Sequence, residues 1–246
     1  MNPAIALISA AVGYVFGSIS FARVVARLVQ PQADITLIEQ PMPHSDEVFV
    51  SDAVSATAVR MHIGAKYGCL TAILDMLKVA VPTFLFRLWQ PDAPYFLFVA
   101  AFGVAGHDWP VFHRFKGGRG ESPIVGGLLV IDWLGILVTT LIGWPIGVLS
   151  GNLLVLRWAW LLLLIPWFWI RTQDPYHLAY ILSVNVMYWW AMRPELKQYF
   201  EFQDKGVEPS AEELADLLGM GRRLGRIIDR YSFSALMNRD ASRRKN

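Results

Sequence analysis

Residues 95–120 have the sequence YFLFVAAFGVAGHDWPVFHRFKGGRG, in which an uncharged apolar run leads into a loop rich in glycine and positive charge. Glycines let a backbone close tightly around a ligand, and successive N–H groups in such a turn can converge on an anion. Lysine and arginine add full positive charge. The loop is therefore a candidate phosphate site, which we assign to Lys116, Gly117, Gly118, Arg119 and Gly120. The alternative is an ordinary basic loop between membrane helices, made flexible by its glycines.

The composition indicates that most of the chain lies in lipid. Hydrophobic residues make up 54% of the 246 residues and charged residues 17%, whereas soluble domains carry about 25% charged residues. The single cysteine, Cys69, excludes an internal disulfide. No set of His, Cys, Asp and Glu has the spacing of metal ligands, so we predict no metal and no other cofactor. We expect membrane lipid as a partner and no nucleic acid, and the oligomeric state is left open.

Uncharged runs divide the chain into seven predicted membrane spans. The run 122–156 contains one charged residue, Asp132, and is too long for a single crossing, so we divide it there. In a six-span alternative, 134–170 forms one crossing and a re-entrant segment. The predicted spans are 1–22, 67–86, 95–106, 122–133, 134–150, 153–170 and 176–192.

The predicted fold is an all-α, polytopic membrane bundle of about seven transmembrane helices with a short cytoplasmic helical tail. We divide it into a transmembrane domain, 1–192, and the tail, 193–246. Basic residues follow the first span, precede the second and follow the third. Because cytoplasmic loops carry an excess of Lys and Arg, we expect the N-terminus outside and the C-terminus in the cytoplasm. The loop 31–66 is expected to be polar, with prolines that prevent a helix.

A pair of opposite charges lies within the second span. Asp75 and Lys78 are three residues apart, so they share one helix face and can form an ion pair. Ionisable groups at membrane depth are costly and usually face a protein interior or a wet cavity. The pair therefore either neutralises itself within the bundle or serves a site directly.

The tail contains two helix patterns. Residues 210–213, Ser-Ala-Glu-Glu, have the form of a capping box at the start of a short helix. A second, basic amphipathic helix is predicted over 222–237. Its apolar face suits either an anionic membrane surface or the cytoplasmic end of the bundle, and both alternatives remain open.

The glycine-rich loop resembles the central motif of the bacterial acyl-phosphate:glycerol-3-phosphate acyltransferase family, whose members are integral membrane proteins. That motif has the form G-H-x-x-P-x-F-x-x-F-x-G-G-K-G, and Arg119 stands in place of its lysine. Similarity extends to G-S-I-S-F-A at 17–22 and to D-x-x-K at 75–78, and it covers residues 1 to about 192. The matching positions of the central motif are Gly106, His107, Pro110, Phe112, Phe115, Gly117, Gly118 and Gly120.

The chain departs from the family pattern in two other motifs. The first cytoplasmic motif resembles G-S-G-N-x-G-A-T-N-x-x-R, but Ala53 and Ala58 replace both asparagines here. Ser51 is retained, and the arginine is displaced by one position to Arg60. Of the third motif, a serine pair followed by H-x-x-N-I and a glutamate, only Ser150 is recognisable. The groups that would hold the acceptor are therefore fewer than in the family pattern.

The resemblance implies an enzyme of phospholipid synthesis in a bacterial inner membrane, which moves an acyl group from acyl phosphate to the 1-hydroxyl of glycerol 3-phosphate and forms lysophosphatidate. It implies His107 as a candidate general base and Ser51 as a residue that orients substrate. Arg60 and Ser150 are assigned to substrate binding together with the glycine-rich loop. One alternative is a catalytically weakened relative that binds lipid or phosphate without turnover, and another is a transporter.

Overall fold

The computed structural model describes residues 1–42, 45–207, 210–217, 220–233 and 235, and this part of the chain is mostly helical. An antiparallel hairpin, β1 (Ile38–Pro41) and β2 (Val48–Ser51), lies between the second and third helices. The helices are α1 (Pro3–Gly17), α2 (Phe21–Val29), α3 (Ala56–His62), α4 (Ala65–Trp89), α5 (Tyr95–Asp108), α6 (Glu121–Ser150), α7 (Leu153–Thr172), α8 (Pro175–Ala191), α9 (Arg193–Asp204), α10 (Ala211–Leu217) and α11 (Arg222–Tyr231).

Five helical segments of the described chain are long and apolar enough to cross a membrane. They are α1 together with α2, α4, α5 with the turn that follows it, α6 and α7. Helix α8 has 17 residues and is shorter than these five segments. The sequence-based prediction of an apolar, helical membrane bundle is therefore confirmed, while the count of seven crossings stays a prediction.

Small residues bring α1 and α5 into close contact. A Cβ added at Gly13 would lie 2.2 Å from the carbonyl oxygen of Val99, and one added at Gly17 would lie 2.1 Å from that of Gly103. Helices in lipid gain stability by such close backbone approach, because lipid supplies no hydrophobic drive for their association. The contact fixes the end of α5, from which the glycine-rich loop emerges.

Helix α6 folds back on itself at Asp132, whose φ of −157° and ψ of 83° are not helical. A straight helix of 30 residues would be about 45 Å long. Instead, both ends of α6 reach the start of α7. Glu121 lies 2.8 Å from the guanidinium of Arg157, and a Cβ added at Gly147 would lie 2.2 Å from the Cα of Leu156. The two arms of α6, before and after Asp132, are therefore antiparallel.

The Asp132 carboxylate stabilises this reversal. Its Oδ1 accepts a hydrogen bond from the N–H of Gly135, as a side-chain cap does at the start of a helix. Its Oδ2 accepts one from the Trp167 indole at 2.9 Å and lies 3.0 Å from Nε of Arg171. The reversal is thus held against α7 by charge and by hydrogen bonds.

The segment 31–66 is more regular than the sequence predicts, and the prediction of a polar loop there is wrong. Ile38 pairs with Ser51 in the hairpin, and α3 follows with Ser55 as its N-cap. Burial alternates along β2, as is typical of a strand with one face toward the protein. On the buried face, Phe49 packs with Met42 and with Phe202 of α9. The hairpin thereby brings the end of β2 next to the start of the tail.

The tail packs against the bundle. The predicted capping box is confirmed, because the Ser210 N–H donates to Glu213 and the Glu213 N–H donates to the Ser210 hydroxyl. Helix α11 buries Ile228 against the start of α7, so the helix caps this end of the bundle. The predicted helix over 222–237 is observed to Tyr231, and residues 234, 236 and 237 lie outside the described part of the chain.

Candidate active site

A cleft opens at one end of the bundle, where β2, α3, the glycine-rich loop and α9 meet. It contains about 670 Å³ of non-atom space, part of which is open to solvent. Both signs of charge face this space, which suits a polar, phosphorylated ligand better than a purely apolar one. The charged or titratable residues that line the cleft are Asp75, His107, Arg119, Glu121, Arg157 and Glu195.

Arg119 of the glycine-rich loop is a central cation of the cleft. Its Nε lies 2.8 Å from Glu195 Oε1, and its Nη2 lies 2.8 Å from Asp52 Oδ1. Burial alone would lower the pKa of this guanidinium, but the hydrogen bonds and charges of Glu195 and Asp52 outweigh it and raise the pKa of Arg119 above its ordinary value. Arg119 therefore carries a permanent positive charge.

Glu195 is a buried carboxylate on the first turn of α9, and its side chain is 6% exposed. Its Oε1 accepts a hydrogen bond of 2.6 Å from the Ser51 hydroxyl. Its Oε2 is buried and accepts no hydrogen bond from the residues that the structure describes. Buried polar atoms normally have partners, so Oε2 is the oxygen of Glu195 whose hydrogen-bonding capacity is not used by the described chain.

The side chain of Gln198 holds α9 against β2 and thereby positions Glu195. Its Oε1 accepts from the Val50 N–H at 2.8 Å, and its Nε2 donates to the Val50 carbonyl at 2.6 Å. Glu195 lies three residues earlier on the same helix face. Because Ser51 is the neighbour of Val50 in β2, this pairing places the Glu195 carboxylate beside the Ser51 hydroxyl.

Two glycines of the loop make room for the backbone and the ring of His107. A Cβ added at Gly118 would lie 2.0 Å from His107 Nε2, and one added at Gly117 would lie 2.0 Å from the His107 carbonyl oxygen. The Gly118 N–H donates to that carbonyl at 3.1 Å. The Gly118 amide is therefore committed within the protein and both glycines serve close packing, while the amide cradle for phosphate stays a prediction.

Gly120 is the N-cap of α6 and lies at the edge of the cleft. Its φ of +82° is in the left-handed region that favours glycine, and a Cβ there would lie 2.9 Å from a carboxylate oxygen of Asp108. The first residues of α6, Glu121 and Ser122, also line the cleft. The N–H groups in the first turn of a helix lack helical partners and attract anions, so this end of α6 reinforces the charge of Arg119.

His107 belongs to a buried ion-pair network at one side of the cleft. Its Nδ1 lies 2.9 Å from Lys78 Nζ and 3.6 Å from Asp75 Oδ1. The predicted ion pair of Asp75 and Lys78 is confirmed at 2.7 Å. His107 therefore lines the cleft with its Nδ1 bound to neighbours and its Nε2 against Gly118, and its role as a general base stays a prediction.

A comparison with protein families matches residues 7–201 to the family described as glycerol-3-phosphate acyltransferase. The chain belongs to this family. The match includes the glycine-rich loop, β2 and the first turn of α9, which are the elements that form the cleft. It confirms the resemblance drawn from the motifs of the sequence.

Individual members of the family are similar over different lengths. The glycerol-3-phosphate acyltransferase 1 of Oceanobacillus iheyensis is 26% identical over 199 residues, which cover 74% of this chain and 86% of that protein. The glycerol-3-phosphate acyltransferase of Maricaulis maris is 37% identical over 130 residues, 52% of this chain and 54% of the relative. The protein of Aquifex aeolicus is 31% identical over 51% of this chain and 64% of its own length.

Two crystal structures share the fold. Both are of PlsY, an integral membrane glycerol 3-phosphate acyltransferase, one in its glycerol 3-phosphate form and one in its lysophosphatidic acid form. Each has a TM-score of 0.64 and 22% sequence identity, and the first covers 80% of this chain and 92% of the PlsY chain. At this identity the likeness establishes the fold of the acyltransferase family.

Three of the residues assigned to the site from the sequence lie elsewhere in this acyltransferase-family chain. Arg60 is bound by the tail, since its guanidinium contacts the side chain and the carbonyl of Asp216. Lys116 is exposed and is not among the residues lining the cleft. Ser150 ends α6, where its hydroxyl donates to the Gly147 carbonyl, and it does not line the cleft either. The cleft therefore does not support the assignment of these three residues to substrate binding.

Three charged residues of the cleft were not predicted from the sequence, namely Glu121, Arg157 and Glu195. Glu195 could have been found from the glutamate of the family's third motif, although the histidine and asparagine around it are lost. Arg157 lies alone in an apolar run, and an ionisable residue at membrane depth is by default a functional candidate. Its side chain is 8% exposed and bound to Glu121.

Proposed function

We propose that this chain is an integral membrane enzyme that transfers an acyl group from acyl phosphate to the 1-hydroxyl of glycerol 3-phosphate, giving lysophosphatidate and inorganic phosphate. Membership of the acyltransferase family supports this proposal. The observation that carries it is the contact of Arg119 with Glu195 beside Ser51, which joins a cation, a carboxylate and a hydroxyl in one cleft.

In the proposed reaction, the acceptor hydroxyl oxygen attacks the carbonyl carbon of the acyl phosphate and forms the new ester bond. The bond between that carbon and the phosphate oxygen breaks, and phosphate leaves with the electron pair. The hydroxyl proton passes to Oε2 of Glu195, which later gives it to the departing phosphate. Ser51 fixes the orientation of the Glu195 carboxylate by its hydrogen bond.

Arg119 would neutralise the charge that develops on the leaving phosphate. In the free protein one of its partners is Asp52, whose side chain is 55% exposed. Ion pairs at exposed positions contribute about 1 kcal/mol or less. A substrate phosphate can therefore replace Asp52 on the guanidinium, while the buried contact with Glu195 keeps Arg119 in place.

The reaction involves two phosphate groups, one on the donor and one on the acceptor, and the cleft contains two guanidinium groups. Arg157 is the second, held by Glu121 at 2.8 Å and by the Tyr188 hydroxyl at 2.7 Å. It replaces Arg60 in this proposal, because Arg60 is engaged by the tail. Arg157 would hold the phosphate of glycerol 3-phosphate and leave Arg119 for the donor.

We further propose seven crossings of a bacterial inner membrane, with the N-terminus outside and the tail in the cytoplasm. The reversal of α6 at Asp132 supports this count, because its two arms and α8 add three segments to α1, α4, α5 and α7. The basic residues that follow the first and the third predicted spans support the orientation. They are Arg23, Arg27, Arg114, Lys116 and Arg119, with the arginines of α11 on the same end.

An assay of the purified protein in lipid nanodiscs tests the function. We expect labelled glycerol 3-phosphate and acyl phosphate to give equimolar lysophosphatidate and phosphate, and acyl-CoA in place of acyl phosphate to give none. Binding of glycerol 3-phosphate without product would instead favour a relative that has lost turnover. Transfer from acyl-CoA alone would overturn the proposed donor.

Matched variants of the glycine-rich loop test the assignment of Arg119. Arg119→Ala is expected to lower kcat about 100-fold, as the removal of one donor to a developing negative charge does in other enzymes. Lys116→Ala is the control and is expected to leave kcat within about twofold, because Lys116 is exposed outside the cleft. Arg119→Lys, which restores the residue of the family motif, should recover most of the activity. Equal losses in Arg119→Ala and Lys116→Ala would contradict the assignment.

A further inference from the structure

Helix α11 presents three different surfaces around its axis. Gly225 is buried against the start of α10, and Ile228 is buried against the start of α7. At 100° per residue, Arg223 and Arg230 lie together on the far side of the helix. Ile227 and Tyr231 lie between these two surfaces and are 44% and 47% exposed. The guanidinium carbon of Arg230 lies 5.6 Å from the centre of the Tyr231 ring, so the exposed apolar residues and the basic stripe are neighbours on the helix surface.

The buried surface of α11 places the helix at the level of the membrane surface. Ile228 packs with Leu153 and Leu156 at the start of α7. A Cβ added at Gly151, in the turn between α6 and α7, would lie 3.1 Å from Ser232 just after α11. The arm of α6 after Asp132 is apolar, and α7 is long and apolar enough to cross a membrane, so the turn between them lies at a membrane–water interface. Helix α11 therefore lies at the same depth.

The basic residues of α11 divide into two pairs. Arg222 lies 3.0 Å from Asp216 and Arg226 lies 3.7 Å from Glu212, so this pair binds α11 to α10. Arg223 and Arg230 form no ion pair with the residues that the structure describes. Arg223 and Arg230 therefore carry positive charge that no acidic residue of the described chain neutralises, and they lie next to the exposed apolar residues.

We propose that α11 lies in the membrane–water interface and binds anionic phospholipid headgroups through Arg223 and Arg230, with Ile227 and Tyr231 at the boundary of the acyl chains. Helices with this arrangement lie in the plane of the membrane, with the apolar side chains toward the acyl region and the cations at the headgroups. Phe233, which is 66% exposed just after α11, extends the apolar side. The proposal does not depend on the acyltransferase reaction.

Fluorescent labelling of the full chain in nanodiscs tests this proposal. Cys69, which is exposed, is first changed to Ser, and Tyr231→Cys is then labelled with the environment-sensitive dye NBD. We expect the NBD emission to shift to the blue, and to be quenched by spin-labelled lipid, in nanodiscs that contain phosphatidylglycerol. Phosphatidylcholine alone should give a smaller shift. A label at Lys197→Cys is the control for an aqueous position, because that side chain on α9 is 80% exposed.

Charge variants identify the residues that bind the headgroups. Arg223→Gln and Arg230→Gln should each weaken the phosphatidylglycerol-dependent insertion about fivefold, and the two Arg→Lys changes should preserve it. Arg222→Gln is the matched control on the other side of the helix and should leave insertion unchanged. A Tyr231 label that stays in water in both lipids would overturn the proposal. Insertion that is equal in both lipids and unaffected by the Gln variants would overturn the role of anionic headgroups.

Discussion

The Ser51 hydroxyl donates a hydrogen bond of 2.6 Å to Glu195 Oε1, although the two residues are 144 positions apart in the chain. The bond joins the end of β2 to the first turn of α9. Arg119, in the glycine-rich loop, donates a second hydrogen bond to the same oxygen of Glu195. Three segments that are separate in sequence thus converge on one carboxylate. Glu195 lines the cleft, and its Oε2 accepts no hydrogen bond from the described residues, which makes Glu195 the candidate base.

Replacing Glu195 by glutamine tests this role. An amide keeps the size of the side chain but cannot accept the proton of the acceptor hydroxyl, so Glu195→Gln is expected to lower kcat by about 100-fold or more. Glu201→Gln is the control, since Glu201 lies on the same helix with its side chain 51% exposed. Steady-state kinetics with acyl phosphate and glycerol 3-phosphate provide the measurement. A kcat of Glu195→Gln within a few-fold of the parent would exclude Glu195 as the base.

The contact of Gly118 with His107 predicts a steric effect that depends on the histidine. Gly118 has no positive φ, so alanine is allowed by the backbone, but its Cβ would lie 2.0 Å from His107 Nε2. Gly118→Ala should therefore destabilise the protein by about 1–3 kcal/mol, because the ring must move. In a His107→Ala background the same change should cost much less, and thermal unfolding of the four proteins completes the cycle. Equal costs in both backgrounds would show that the ring is not the obstacle.

Much of this architecture could be predicted from local patterns. Uncharged runs identified the apolar helices, and the spacing of Asp75 and Lys78 predicted their ion pair, because neighbours on one helix face meet whatever the tertiary fold. The capping box at Ser210 was predictable for the same reason. The division of the run 122–156 at Asp132 also used a local signal, and the structure departs from helical geometry at that residue.

The contents of the cleft could not be predicted in the same way. Glu195 reaches it because Gln198 pairs with the backbone of Val50, and no local pattern indicates a contact between α9 and a strand so far away in sequence. Arg60 was assigned to phosphate from its charge, but Asp216 of the tail binds it. Cations in a sequence show where positive charge is available, and only the fold shows which of them face the ligand.

The turn before α8 predicts a pH-dependent contribution to stability. Asp174 is the N-cap of this helix, and it also pairs with His177. Partial burial would raise its pKa, but the hydrogen bond from His177 and those from the backbone outweigh it and lower the pKa of Asp174. Because the folded-state pKa lies below the unfolded value of about 3.9, the stabilisation is present above that pH and is lost as the pH falls through the folded pKa.

Substitutions at Asp174 test this contribution. Asp174→Ala should lower stability by about 1 kcal/mol at neutral pH, and this difference should shrink as the pH falls below about 4. Asp174→Asn, which retains the cap without the charge, should lose less than Asp174→Ala. Thermal unfolding across the acidic range is the measurement. A difference between the parent and Asp174→Ala that is constant over this range would show that the carboxylate charge contributes nothing.

The reversal of α6 gives the last prediction. Asp132→Ala removes the acceptor of the Trp167 indole and of the Gly135 N–H, and it leaves Arg171 without this carboxylate. Loss of a buried acceptor that serves several donors should destabilise the protein by about 2–3 kcal/mol, measured as a lower Tm in detergent. Asp204→Ala, at an exposed end of α9, is the control and should change stability by less than about 0.5 kcal/mol. Equal Tm values for the two variants would mean that α6 folds back without help from its carboxylate.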